Sequence, residues 1–110
     1  MKITVSYENG SEYGEESFES VSRYESADFD SSVLELADSN TYIEYDESSV
    51  VSVEGSDLTL VVQHDKGDST RHEDVTEVVK TSENLCIKKS SESNPIYLPN
   101  TNTILWIADD

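Results

Sequence analysis

Cysteine, glycine and proline are all scarce in this chain, whose 110 residues contain one cysteine, four glycines and two prolines. A single cysteine excludes a disulfide framework within the chain and a paired-cysteine metal site. With so few glycines there is no glycine-rich phosphate loop, and no serine lies in a GxSxG hydrolase elbow. Since Cys86 lies in the apolar run Leu85-Cys86-Ile87, we expect it to be a buried structural thiol.

Long apolar runs and targeting signals are also missing from the sequence. The residues after Met1 lead directly into a strand pattern, without a charged segment that precedes a long apolar stretch and without a lipidation motif. We therefore expect no membrane partner and no export by a signal peptide. The expected location is intracellular, in a host cytoplasm, or within a virion.

Basic residues are few, because 7 lysines and arginines stand against 24 aspartates and glutamates, giving a net charge of -17. Residues 1–55 carry 14 acidic and 2 basic side chains (-12), whereas residues 56–110 carry 10 and 5 (-5). Such a surface repels nucleic acid and anionic membranes and attracts basic protein surfaces. Adaptation to high salt is the alternative that this composition leaves open.

The apolar pattern of the first half recurs in the second half. When Gly10 is aligned with Gly67, the segment Lys2–Ser11 falls on Thr59–Asp68 at the same spacing. A repeat of this length constrains the architecture more strongly than any single motif. With small shifts, two apolar pairs near the ends of the halves also match: Val51 with Leu105, and Val53 with Ile107.

The repeat, together with the period-two alternation of residues such as Ile3, Val5 and Tyr7, predicts the fold class. We expect an all-β chain of two tandem antiparallel units of about 53 residues each, packed as one sandwich- or barrel-like domain. The units cover residues 1–55 and 56–110. Two segments leave alternatives open, because 20–25 fits a strand or a helical turn, and 73–81 fits a strand or a short helix.

No residue pattern indicates catalysis, a metal or a cofactor. The two histidines, His64 and His72, lie near Asp65 and Asp68, but their spacing matches no standard set of metal ligands. Acidic pairs such as Glu15-Glu16 are common in so acidic a chain, and none is marked as a catalytic acid or base. We predict that the protein is not an enzyme and holds neither metal nor cofactor.

Two sets of residues are candidates for partner binding. The first set is an acidic face concentrated in the first half, and it consists of Glu8, Glu12, Glu15, Glu16, Glu19, Glu25, Asp28 and Asp30. The second set is an aromatic face in the second half, where strand alternation turns side chains away from the core. Aromatic residues on such a face are typical of binding hot spots. The aromatic face consists of Tyr97, Ile104 and Trp106. Packing of this face against the first half is the alternative.

The acidic face leads to our first functional hypothesis, an inhibitor that imitates nucleic acid. Duplex DNA presents a dense row of negative charge, and a β scaffold studded with carboxylates would enter the same basic channels. In composition and size the chain resembles small acidic viral proteins that disarm host nucleases, restriction enzymes or CRISPR effectors. The expected partner is therefore the basic surface of a nucleic-acid-binding protein, not nucleic acid itself.

A second hypothesis is a small structural or decorating protein of a virion, adapted to high salt. Its partners would be copies of itself or neighbouring virion proteins, and the aromatic face would form the lattice contact. A third possibility is a domain whose charge is incidental to its function. The sequence contains no motif that names the partner.

Overall fold

The computed structural model describes residues 1–9, 12–26, 31–36, 39–44, 50–63, 67–81, 83–99 and 104–109. Every regular element in this part of the chain is a β-strand, which confirms the all-β prediction. The strands are β1 (Lys2–Asn9), β2 (Glu12–Phe18), β3 (Val21–Ser26), β4 (Ser31–Leu36), β5 (Ser39–Glu44), β6 (Val50–Gln63), β7 (Ser69–Lys80), β8 (Asn84–Lys89), β9 (Ile96–Pro99) and β10 (Ile104–Asp109).

The ten described strands form one antiparallel sheet. Its main path runs in the order β5-β4-β3-β10-β6-β7-β8-β9, and β1, followed by β2, branches from it at β6. The branch exists because β6 is long: its first part, Val50–Glu54, pairs with β1, and its last part, Leu58–Gln63, pairs with β10. β7 pairs with both parts of β6. The sheet therefore has two arms that share β6 and β7.

The two arms enclose a common hydrophobic core. Alternate residues of the strands, such as Ile3 and Val5 on β1 and Leu60 and Val62 on β6, are fully buried. This alternation is what a strand with one covered face requires. The buried residues of both arms belong to one cluster, and burial of each such aliphatic side chain stabilises the fold by about 1.5–3 kcal/mol.

β6 changes direction near Gly55. Between the pairs Glu54↔Glu77 and Leu58↔Val75, β6 advances by four residues while β7 advances by two, so β6 bulges at this point. A Cβ atom at Gly55 would lie 2.5 Å from Cδ2 of the fully buried Leu58. Only a glycine leaves the Leu58 side chain in its place, and the bend thus depends on Gly55.

Two non-glycine residues in the described part have positive φ, and both lie at corners of the sheet. Ser20 (φ 60°) separates β2 from β3, and Asp74 (φ 58°) lies within β7. At Asp74, β7 advances by three residues while β6 advances by two. The Asp74 carbonyl accepts a hydrogen bond from the Ser90 N–H at 2.9 Å, which ties this corner to the turn after β8.

Strands of the two sequence halves pair with each other. β10 of the second half pairs with β3 of the first through Ile107↔Tyr24, and the start of β6 pairs with the end of β7 through Val53↔Val78. The boundary between residues 55 and 56 therefore falls inside β6, and the division into two tandem units stays a prediction. Within each half the last strand also pairs with the first, as in Val5↔Val51 and Val62↔Leu105.

Both segments that the sequence left ambiguous belong to strands. Residues 20–25 contribute to β3, and 73–81 belong largely to β7. Val75 and Val78 are three residues apart, as on a helix, yet both are buried in a strand because β7 bulges against β8 between Val75 and Glu77. The expectation that Cys86 is buried was wrong. Cys86 is half-buried, and it pairs with the exposed Tyr97 across the β8–β9 ladder.

Candidate protein-binding surfaces

Glu15, Glu16 and Glu19 project from β2 and from the turn that follows it. Glu15 pairs with Ser6 and Glu16 with Val5, so the two side chains leave opposite faces of the strand. All three glutamates are exposed. The side chain of Glu16 lies on the same face of the sheet as the buried Val5. It is nevertheless exposed, because β2 is an edge strand that pairs with β1 alone among the described strands.

These three carboxylates have no cation partner among the described residues, a property that they share with other exposed carboxylates such as Asp57 and Asp68. Their side chains form no ion pair or hydrogen bond with another described residue. Unpaired, exposed carboxylates in close sequence produce a local negative potential that a basic surface would neutralise. Among the described residues, the carboxylates that do pair are Asp109 with the Met1 amino terminus at 2.7 Å, Glu25 with Arg23 at 3.4 Å, Glu73 with Arg71 at 3.1 Å, and Glu77 with Lys88 at 3.5 Å.

The other residues of the predicted acidic face do not all lie near Glu15, Glu16 and Glu19. Glu8 pairs with Tyr13, and Glu12 with Asn9, so their backbones lie in the same hairpin as Glu15. Glu25 lies on β3, is half-buried and pairs with Arg23. Asp28 and Asp30 lie outside the described residues. We define the acidic edge as Glu15, Glu16 and Glu19.

Trp106 occupies the outer face of β10, on the side opposite the buried Leu105 and Ile107. It is half-buried and lies between Glu25 of β3 and Val61 of β6. Val61 is half-buried as well, and sequence reasoning missed it, although the alternation through Leu60-Val61-Val62 places it on the outer row. Ile104 pairs with Gln63 two residues before Trp106 on the same strand.

Tyr97 belongs to a different surface from Trp106. It lies on β9, pairs with Cys86 and is 70% exposed, the largest exposure of a hydrophobic residue in the described part of the chain. Three strands, β6, β7 and β8, separate β9 from β10, a path of roughly 19 Å at the usual strand spacing. The structure therefore does not bring the predicted aromatic face together as one patch.

His72 points toward the interior from β7, since it pairs with the fully buried Leu60. Its Nε2 atom is buried and has no hydrogen-bond partner among the described residues. Burial, followed by the nearby positive charge of Lys89, lowers the pKa of His72, and Glu92 partly opposes them. The net effect favours the neutral imidazole of this half-buried histidine. His64 and Asp65 lie outside the described residues.

The described residues show no further site. They contain no group of three or more His, Cys, Asp or Glu side chains placed to hold a metal ion. A shallow depression at the bend of β6 is lined by Lys2, Glu54, Gly55, Ser56, Thr76 and Glu77, and it opens widely to solvent. Nor does this part of the chain include a helix with the length and apolar character that a membrane span requires.

A comparison of the chain with protein-family models, with curated proteins and with solved structures finds no match. The surfaces described above are therefore the basis for inferring its function.

Proposed function

We propose that this chain is a non-catalytic acidic binding module, a viral inhibitor that blocks the basic nucleic-acid-binding site of a host defence protein. The observation that supports the proposal is the acidic edge. Glu15, Glu16 and Glu19 are exposed, lack cation partners among the described residues and lie at the end of the sheet. A basic surface that approaches from this side meets carboxylates that no described side chain neutralises.

The geometry of a β-strand suits an imitation of nucleic-acid charge. Consecutive residues of a strand advance by about 3.4 Å, which is also about the axial rise between successive phosphates on one DNA strand. Glu15 and Glu16 are consecutive residues of β2, so their backbones advance by this rise while their carboxylates leave opposite faces of the strand. A surface that binds phosphates by releasing counterions would gain from these carboxylates in the same way.

The aromatic residues supply the specific part of the proposed contact. Charge alone directs association but discriminates weakly between basic partners, whereas partly buried aromatic residues form energetic hot spots. Trp106, with Val61 beside it, and the exposed Tyr97 are the described residues suited to this role.

A virion structural protein is the second candidate, and Tyr97 is the observation that favours it. An aromatic side chain that is 70% exposed on the last strand of the sheet suits a contact with a neighbouring subunit. Pro95 precedes this strand and Pro99 is its last residue, and both limit pairing along its backbone. Under this candidate, the protein self-associates in sedimentation experiments and displaces no nucleic acid.

Displacement of DNA tests the proposed function. A fluorescently labelled duplex is bound to a panel of basic DNA-binding proteins, a nuclease, a restriction endonuclease and a CRISPR effector, and its anisotropy is followed as the acidic protein is added. We expect displacement from at least one panel member, with an affinity that falls as salt rises from about 0.05 M to about 0.2 M. Absence of displacement throughout the panel, or displacement that does not respond to salt, contradicts the proposal.

A further inference from the structure

One side of β2 has no partner strand in the described part of the chain. β2 pairs with β1 at seven consecutive positions, from Asn9↔Glu12 to Ile3↔Phe18, and no other described strand pairs with it. The outer edge of such a strand presents main-chain N–H and C=O groups in the spacing of a β ladder. This edge is therefore a template on which another extended segment can form hydrogen bonds.

The register shows which residues present these groups. Two residues connect the paired Asn9 and Glu12, and a two-residue connection closes on a hydrogen-bonded pair. Hydrogen-bonded and non-hydrogen-bonded pairs then alternate along the ladder. It follows that Tyr13, Glu15 and Ser17 direct their main-chain N–H and C=O groups away from β1, toward the open edge.

The side chains along this edge select the segment that binds there. Because Glu15 and Glu16 leave opposite faces of β2 without cation partners, an acidic segment is repelled on both faces and a neutral one leaves both carboxylates unneutralised. A segment with lysine or arginine on both faces neutralises both. Charged edge residues thus prevent indiscriminate pairing and admit one class of strand.

The same sheet contains an open edge of different charge. The first part of β7, Ser69–Glu73, pairs with β6 only, since β8 begins its pairing at Val75. Here Arg71 forms an ion pair with Glu73 at 3.1 Å, so the charges compensate each other. This edge serves as an internal reference, because it offers comparable backbone groups and the one carboxylate within Ser69–Glu73 is paired with Arg71.

We propose that the open edge of β2 accepts an extended basic segment of a partner protein as an added strand, with lysine or arginine side chains against Glu15 and Glu16. This inference rests on the proposed function, because it specifies how the acidic edge engages a basic protein. Main-chain hydrogen bonds supply affinity in strand addition, and the alternating side chains supply specificity. The acidic edge is then a strand-addition site and not merely a region of negative potential.

The test uses the full chain and two short peptides that repeat the sequence Lys-Lys-Thr-Thr, which places lysine on both faces of an extended strand. One peptide has an ordinary backbone, and the other has every backbone nitrogen methylated, which keeps the charge and prevents ladder formation. We expect the ordinary peptide to bind about tenfold more tightly or better. Amide hydrogen exchange measured by NMR should slow at Tyr13, Glu15 and Ser17, and not at Ser69–Glu73.

A pair of variants separates the backbone from the charge. Ser17→Pro removes one outward N–H and retains every carboxylate, while Ser17→Ala removes the hydroxyl that lies 3.3 Å from the Thr4 hydroxyl and keeps the N–H. Proline is tolerated on an edge strand where its nitrogen faces solvent. We expect weaker peptide binding for the proline variant and little change for the alanine variant. If the proline variant is unfolded, the hydrogen-exchange measurement on the unaltered chain decides whether the peptide adds to β2 as a strand.

The outcomes distinguish failure of strand addition from failure of the proposed function. Equal, salt-sensitive binding of both peptides overturns strand addition and leaves the charged surface intact. Slowed exchange at Ser69–Glu73 in place of β2 also overturns strand addition. If neither peptide binds, the acidic edge does not bind basic protein segments, and both proposals fail.

Discussion

Reversing the charges of Glu15, Glu16 and Glu19 together should weaken binding to a basic nucleic-acid-binding site by about a hundredfold or more. Each contact between a basic residue and a phosphate-like charge makes the affinity fall close to tenfold when salt is raised from about 0.1 M to about 1 M. Three such contacts are lost in the triple lysine variant, and the new lysines repel the basic partner. Displacement of labelled DNA from the partner, followed by anisotropy, measures the effect.

A second triple variant controls for net charge. Asp57, Asp68 and Glu83 are exposed and have no ion-pair partner among the described residues, and they lie outside the acidic edge. Lysine at these three positions changes the net charge by the same amount, from -17 to -11. Circular dichroism verifies that both variants are folded. Equal losses in the two variants would show that total charge alone governs binding, and no loss in either would remove the acidic edge from the account.

Ile107→Ala should reduce the free energy of unfolding by about 2–5 kcal/mol, a large share of the stability of a small domain. Ile107 is 1% exposed and lies on β10 between Leu60 of β6 and Tyr24 of β3. The substitution leaves a cavity where strands from both halves of the chain meet. Urea unfolding monitored by Trp106 fluorescence and by far-ultraviolet circular dichroism measures the loss.

The two probes also test whether the halves interlock. Because β10 pairs with β3 and the start of β6 pairs with the end of β7, we expect one transition, with the same midpoint from both signals. Ile107→Val serves as the graded control and should cost about 0.5–1.5 kcal/mol. A second transition that remains at the original midpoint in circular dichroism would show that the first half unfolds independently, contrary to the observed pairing.

Much of the strand pattern could be predicted because it is local. The alternation around Ile3 and Val5 follows from one covered face, and both residues are buried on β1. The course of β6 could not be predicted in the same way. Gly55 and its polar neighbours have the composition of a turn, yet here they form a bulge within one strand, because distant residues of β7 hold both sides of it.

The candidate surfaces show the same division between local and distant causes. Period-two alternation predicts that Tyr97 and Trp106 turn away from their buried neighbours. The distance between Tyr97 and Trp106 depends on the strand order. That order is set by the pairing of β10 with β3 and β6, two strands that lie far from β10 in the sequence. The ion pairs of Arg23 with Glu25 and of Arg71 with Glu73 join residues two apart on one strand face, so alternation could have predicted them.

Thermal unfolding at two salt concentrations tests most directly whether the unpaired carboxylates form a functional surface or an adaptation to salt. The charge repulsion that they create acts over about 10 Å at 0.1 M salt and is screened to about 3 Å at 1 M. We expect a folded chain with a cooperative transition in about 0.1 M KCl and only a modest rise in the unfolding temperature in about 3 M KCl, because the shared core supplies the stability. A chain that is unfolded in the dilute salt and folds only in the concentrated salt would contradict the account and favour the salt-adapted structural protein.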